Sequence, residues 1–232
     1  MTRSSAGATL ALLQLADSQF PAGTFAHSYG LEQLVRDGRV TDAPSLRSAV
    51  CSVLVLQVAE SEARAAARAV AAYTGGDVDR LRAVDAALVR TKAAEELRAA
   101  STATGSRLLQ EVVAHERDPL LLEYAAHVQA GRAPGTHAVA FGAVGAAFGV
   151  EADDVAAALL LGTATVLLSA GMRLLPVSHR DVQGALHWLR PRTAELAAAA
   201  VRDCDRPFAS CHPLQEIASM RHRDARVRFF TS

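Results

Sequence analysis

Nowhere in this chain do Val, Ile and Thr alternate with polar residues between turn signals, the pattern a half-buried strand requires. Ala, Leu, Arg and Glu dominate instead, and all four are good helix formers. The sequence therefore predicts an all-α protein. Helix starts are marked by an acidic cap followed by a first-turn proline, at Asp42-Ala43-Pro44 and again at Asp118-Pro119. Leu46, Val50, Val53, Leu54 and Val58 form one apolar stripe, predicting a helix that runs to Tyr73 before Gly75-Gly76 stops it. Two short helices precede it, marked by Leu10, Leu13 and Ala16 and by Leu31, Leu34 and Val35, with Pro21 and Gly23 interrupting between them and Thr24 as a cap.

Residues 77 to about 113 read as one or two helices, and the helix from Asp118 closes at Gly131. From Pro134 to Val150, Ala138, Gly142, Gly145 and Gly149 leave one helix face without bulk, suited to close approach by a second helix, with the long helix from Val155 as the expected neighbour. After Pro176 two short helices are predicted, near 181–189 and 193–203, then a polar Pro-containing stretch over 205–213. This gives one globular domain of about ten helices over residues 1–204, with a flexible C-terminal arm over 205–232.

Composition narrows the function classes. The 232 residues carry 24 Lys+Arg and 24 Asp+Glu, so no overall basic excess exists to neutralise a nucleic-acid backbone. The balance hides a polarity: from Arg173 onward ten Arg face six acidic residues, and Arg221, Arg223, Arg226 and Arg228 crowd the end against Asp224. Such a basic tail suits docking onto an acidic partner. Val155 to Met172 is uncharged and just long enough to span a bilayer. It is rich in Ala, Gly, Thr and Ser, lacks an aromatic belt, and reads as a core helix with no membrane role. The N-terminus shows no secretory pattern. Three cysteines without tight spacing argue against a disulfide scaffold and for a cytoplasmic protein.

Signatures of enzyme chemistry are missing: no Walker loop, no Gly-x-Ser-x-Gly elbow, no His-Glu-x-x-His, and Lys92 as the sole lysine. Cys204, Cys211 and His212 are the one Cys/His cluster with a conceivable soft-metal role, an alternative in which the protein binds nickel directly as a metallochaperone. Three other segments stand out. Ser18 to Glu32 delivers hydroxyls, an imidazole and a carboxylate around a Pro/Gly turn. At Gly171-Met172-Arg173-Leu174-Leu175-Pro176 an arginine ends an apolar helix, complementing its dipole or anchoring a partner carboxylate. Ile217 to Phe230 mixes basic with large apolar residues, and Phe229 and Phe230 call for burial against another chain or the body of the protein.

Together these segments resemble the urease accessory protein F (UreF) family. The resemblance rests on Phe20-Pro21-Ala22-Gly23-Thr24-Phe25-Ala26-His27-Ser28-Tyr29-Gly30-Leu31-Glu32, on Met172-Arg173-Leu174-Leu175-Pro176 followed by Gln183, and on Ile217-Ala218-Ser219-Met220 with His222, Arg228 and Phe229. It implies an all-α, dimeric, non-enzymatic chaperone without a cofactor. Such a protein bridges an accessory protein of the D/H type and a nickel-carrying GTPase of the G type to load nickel into the urease apoprotein. Under the resemblance Glu32 and Arg173 are expected at a GTPase-facing or dimer-groove contact, His222 and Arg228 at the arm contact for the D/H partner, and Gln183 and Phe229 are further partner-binding candidates. Val177-Ser178-His179-Arg180 stands where the family usually has a Gly-Gln-type turn.

Overall fold

The computed structural model describes residues 5–17, 19–223 and 227–231, so Ser18, Asp224 and Arg226 lie outside the described residues. Among those described, every regular element is helical: α1 (Ala6–Ala16), a 3-10 turn (Thr24–Ala26), α2 (Leu31–Arg36), α3 (Ala43–Val53), a π-helical stretch (Leu54–Ala63) leading into α4 (Arg64–Thr74), α5 (Val78–Val89), α6 (Glu95–His115), α7 (Pro119–Gln129), α8 (His137–Ala147), α9 (Ala152–Leu174), α10 (His179–Arg202) and α11 (Pro213–Arg223). Because α3, the π stretch and α4 are continuous, ten separate helices result, packed as one all-α domain.

The caps act as the sequence predicts. Asp42 accepts from the Ser45 amide while Ser45 returns a bond to the Asp42 backbone, and Pro44 sits in the first turn, where its missing N–H leaves no bond unmade. Asp118 accepts from the Leu121 amide at 2.8 Å ahead of Pro119. Asp77 separates α5 from α4 in the same way, through the Arg80 amide. The stretch after Asp77 thus yields two helices, α5 and α6.

Three local expectations are corrected. The two short helices after Pro176 are one, α10, with Pro191 in its interior. Val182, Ala185, Leu189, Thr193, Ala197 and Ala200 keep one buried stripe in phase through the proline, so packing on α9 holds the helix together where local propensity would break it. Thr24 is not the cap of α2. That helix starts behind Gly30, which has φ +83°, and the Glu32 amide reaches the Ser28 hydroxyl at 3.5 Å. The small-residue face of α8 meets α4 as its principal neighbour, with α9 touching mainly at Gly145: a Cβ at Gly142 would lie 2.5 Å from the Ala66 carbonyl oxygen, and one at Gly145 2.7 Å from Val155 Cγ2.

The core forms two apolar clusters. In one, α1, α4, α5, α6, α7 and α8 meet the start of α9; in the other, α2, α3 and α10 meet the rest of α9. The long α9 serves both, with Val155 and Leu159 facing the first and Leu160, Leu167 and Leu168 the second. It is the one described helix long and apolar enough to cross a membrane, and 56% of its apolar stretch is buried inside the bundle. The π stretch lies where the helix of residues 43–74 passes from the second cluster, at Leu46 to Ala63, to the first, at Ala65 to Ala72. Its wider turns change the phase of the buried face. Buried Asp85, accepting from the Tyr124 hydroxyl at 2.8 Å and the Gly135 and Thr136 amides at 2.6 and 2.9 Å, ties α5 to α7 and to the loop before α8.

The α4–α8 contact makes a prediction with an unusual sign. In an open helix, Gly→Ala stabilises by up to about 1 kcal/mol. Gly162 has open space around its Cβ position and should behave that way. Gly142→Ala should instead lose roughly 1–3 kcal/mol, because the added methyl drives α8 off the Ala66 backbone. Urea denaturation of both variants checks this, and a stabilised Gly142→Ala would show that the helices are not in close contact.

Candidate functional site

The C-terminal segment leaves the bundle at α10 and returns across it. Arg68 donates to the carbonyls of Cys204 and Arg206 and covers the Phe208 ring at 4.2 Å. The Ala209 and Cys211 amides donate to the carbonyls of Glu60 and Leu56, on the π stretch. At the entry to α11, His212 Nδ1 accepts from the Gln215 amide at 3.1 Å.

α11 then packs on α2 and the start of α6 with an unusual face. Its buried residues are Gln215, Glu216, Ala218, Ser219 and His222, nearly all polar. A buried polar face is stable to the extent that its groups find partners; most do here, while Ser219 Oγ and one side-chain oxygen each of Gln215 and Glu216 find none in the protein. Gln215 Nε2 donates to the Tyr29 carbonyl at 3.0 Å, and Glu216 accepts from the Ala94 amide at 2.6 Å, capping α6 from outside. The approach depends on Gly30: a Cβ there would lie 2.8 Å from Ser219 Oγ and 3.1 Å from the Gln215 carbonyl oxygen, and its positive φ excludes most side chains independently.

At the centre lies Glu32, 1% exposed. His222, wholly buried, sets Nε2 3.0 Å from Glu32 and Nδ1 3.2 Å from Glu96, one ring nitrogen to each carboxylate. Beyond α11 the chain turns back so that the amides of Phe229 and Phe230 donate to Glu32 at 3.1 and 3.2 Å. Arg36 bridges Glu32 and the Val227 carbonyl, and Arg228 reaches Glu96 at 3.2 Å. Burial alone would raise the Glu32 carboxyl, but the Phe229 amide, His222, the Phe230 amide and the Arg36 charge outweigh it and hold the group below the ordinary carboxylate range. Arg221–Asp37 and Arg223–Glu95 pairs flank this centre, more exposed and weaker.

Arg173, in the last turn of α9, is exposed and pairs with no carboxylate among the described residues. Its guanidinium donates to the Phe25 carbonyl at 3.2 Å and lies over the Phe230 ring at 5.4 Å. The Thr231 amide closes the end of the segment on the Ala26 carbonyl at 2.8 Å. The expected burial of the two phenylalanines splits accordingly: Phe230 is 5% exposed against the body, and Phe229 is 77% exposed.

Five of the six residues singled out from the sequence, Glu32, Arg173, His222, Arg228 and Phe229, therefore meet at one place. Gln183 does not; it lies on the exposed face of α10, outside this network. Glu96, Gln215 and Glu216 belong to the site and were missed, since a carboxylate at the start of a helix reads first as a dipole partner. Cys204, Cys211 and His212 form no metal-binding group; among the described residues no three His, Cys, Asp or Glu side chains gather as one.

The family comparison bears on the same segments. The sequence model of the UreF family matches residues 40–190, well over half of the chain. This chain belongs to the UreF family. It is similar over nearly its whole length to the urease accessory protein UreF of Arthrobacter sp. (strain FB24), 35% identical and covering 96% of each chain. The UreF of Bacillus sp. (strain TB-90) is 29% identical across 96% of this chain and 98% of its own. UreF 2 of Brucella canis is 32% identical across 95% and 90%. Membership places the chain among urease accessory proteins, with a general role in urease maturation. The matched core stops short of both the Phe20–Glu32 segment and the arm, the two parts joined through Glu32.

The geometry predicts that His222→Ala frees the arm. It leaves Glu32 buried and Glu96 partly buried without the imidazole between them, a loss of about 1–3 kcal/mol to docking. Hydrogen exchange over residues 213–231 should become fast while exchange in α4, α8 and α9 is unchanged; continued protection of α11 would refute the latch. Because the Glu32 pKa is lowered on folding, its contribution is complete above the ordinary carboxylate pKa and disappears as pH falls through the folded value. Arm protection should accordingly be lost on acidification below about pH 4, a range set by the ordinary Glu pKa, and Glu32→Gln should flatten that dependence.

Proposed function

We propose that this protein is a scaffold in urease maturation that performs no bond chemistry itself. It works in the cytoplasm, bridging an accessory protein of the D/H type and a GTPase of the G type so that nickel reaches the urease apoprotein. The observation that carries this reading is the inverted amphipathicity of the C-terminal segment. α11 turns its polar face to the bundle and its apolar residues outward: Leu214, Ile217 and Met220, extended by Val227 and Phe229, are exposed. A terminal segment held down by buried polar bonds while displaying large apolar side chains is built to be covered by another protein. On this reading residues 205–232 are the partner-binding arm of the helical domain 1–204, and the D/H-type partner takes its outer face.

Glu32, His222 and Arg228 then serve to shape that surface rather than to touch the partner, and Arg173 fixes its far end through Phe230. The exposed Gln183 and the basic stretch around Arg180 are left for the GTPase. A homodimer is supported by a second apolar face, where Leu13 of α1, about two-thirds exposed, lines an open groove with Leu161 of α9, and Leu10 is equally exposed on the same helix. The free cysteines Cys51, Cys204 and Cys211 suit a reducing compartment.

Co-purification with the D/H-type partner tests the central claim. Ile217→Asp with Phe229→Asp should abolish it while thermal stability and arm protection stay as in the wild type, since neither side chain packs on the bundle. Deletion of 220–232 should abolish it too and leave the helical domain folded. Undiminished co-purification of the double variant would refute the assignment of this face.

A further inference from the structure

The ring of His222 sits where a neutral imidazole fits badly. It is wholly buried, with Nε2 3.0 Å from Glu32 and Nδ1 3.2 Å from Glu96. An ionised carboxylate only accepts hydrogen bonds, whereas a neutral imidazole has one N–H and one lone pair. With both carboxylates ionised, a neutral ring would turn its lone pair on one of them at hydrogen-bond distance. Glu32 is ionised: the Phe229 and Phe230 amides and the Arg36 guanidinium donate to it, and with His222 they hold it below the ordinary carboxylate range. On Glu96 the Arg228 guanidinium takes the other oxygen at 3.2 Å, which favours the charged form there too.

The other charges near the ring are already committed. Arg36 backs Glu32 on α2, Glu95 stands beside Glu96 on α6, and Arg228 comes from the segment beyond α11. On α11 itself Glu216 is turned to the Ala94 amide, and Arg221 and Arg223 to Asp37 and Glu95. Arg36 and Arg228 are partly exposed, so water screens them, and the imidazole is the buried group that stands between the two carboxylates. We infer that His222 is a proton-binding site: the docked arm holds it as an imidazolium, donating from both ring nitrogens to Glu32 and Glu96, and attachment weakens when that proton is lost. Once the arm lifts away, the ring enters water and titrates as an ordinary imidazole, near about pH 6.5. Above that pH, docking takes up one proton. The docking constant then falls by about tenfold per pH unit until the docked ring itself is deprotonated. This alkaline release is opposite in sign to the acid release set by Glu32, and the two together bound a pH window for the docked arm. The inference concerns the attachment of the arm alone and does not depend on the scaffold reading.

Nitrogen-15 NMR of the full chain, labelled at histidine, reads the ring directly. At about pH 7.5, one unit above the ordinary imidazole value, both ring nitrogens of His222 should carry a proton, the signals being assigned by their loss in His222→Gln. A His222 ring nitrogen with the chemical shift of a bare lone pair overturns the inference, wherever the missing proton has gone. Hydrogen exchange over residues 213–231, corrected for the intrinsic rise of exchange with pH, gives a second readout that needs no variant. Protection should fall by about tenfold per unit above about pH 6.5, while α4, α8 and α9 keep theirs. Glu96→Gln isolates the cause, because an amide there still accepts from Arg228 and can donate to a neutral ring. Its arm should stay protected through the same range. Wild-type protection that ignores pH, or an equal fall in Glu96→Gln, overturns the proposal.

Discussion

A buried carboxylate must be solvated by something, and in this protein the C-terminal segment solvates Glu32. Water is excluded from a site 1% exposed, so the charge is sustained by the Phe229 and Phe230 amides, by His222 and by Arg36. Three of those four donors lie more than 180 residues away in sequence. The dependence is mutual. Without the arm Glu32 opens to solvent, and without Glu32 the Phe229 and Phe230 amides lose the acceptor on which they converge. The Gly30 close approach, the Arg173–Phe230 contact and the Glu216 cap on α6 all follow from placing α11 where His222 reaches both carboxylates.

That arrangement explains why a helix can face a protein with its polar side. In an ordinary surface helix, apolar burial supplies the driving force and polar residues face water. α11 depends on directional bonds, which have small net value when satisfied and a large penalty when broken. Such a contact is specific in register yet leaves the apolar residues free for another surface. The rest of the bundle holds through conventional packing in two clusters divided along α9, to which the arm adds Ala218, Phe230 and Phe208, so polar bonds carry a larger share in the arm than in the body.

Much of this was legible in sequence because the signals are local. Asp42 with Pro44 and Asp118 with Pro119 announce their helices by cap chemistry, and the strand-free composition fixes the fold class. The family segments pointed to Glu32, Arg173, His222, Arg228 and Phe229, which the structure gathers at one place. Missed features have non-local causes. Pro191 reads as a break, and packing of the 182–200 stripe on α9 overrides it. The small face of α8 pointed to a close neighbour and α9 was the expected one, but packing makes it α4. Glu96 and Gln215 carry no motif, and their roles exist only because α11 lands on them. Phe229 and Phe230 are adjacent and alike in chemistry, so nothing local says that one is buried and the other exposed.

The sequence by itself determined an all-helical chain, the main helix starts and a family likeness carried by three short segments, because caps, turns and composition act over a few residues. Only the tertiary structure decided that Glu32 faces inward to hold the arm, that Arg173 lies over the Phe230 ring, and that α11 shows its apolar side to solvent. Those outcomes depend on which distant groups satisfy one another's hydrogen bonds, and that choice is made only when the whole chain has packed.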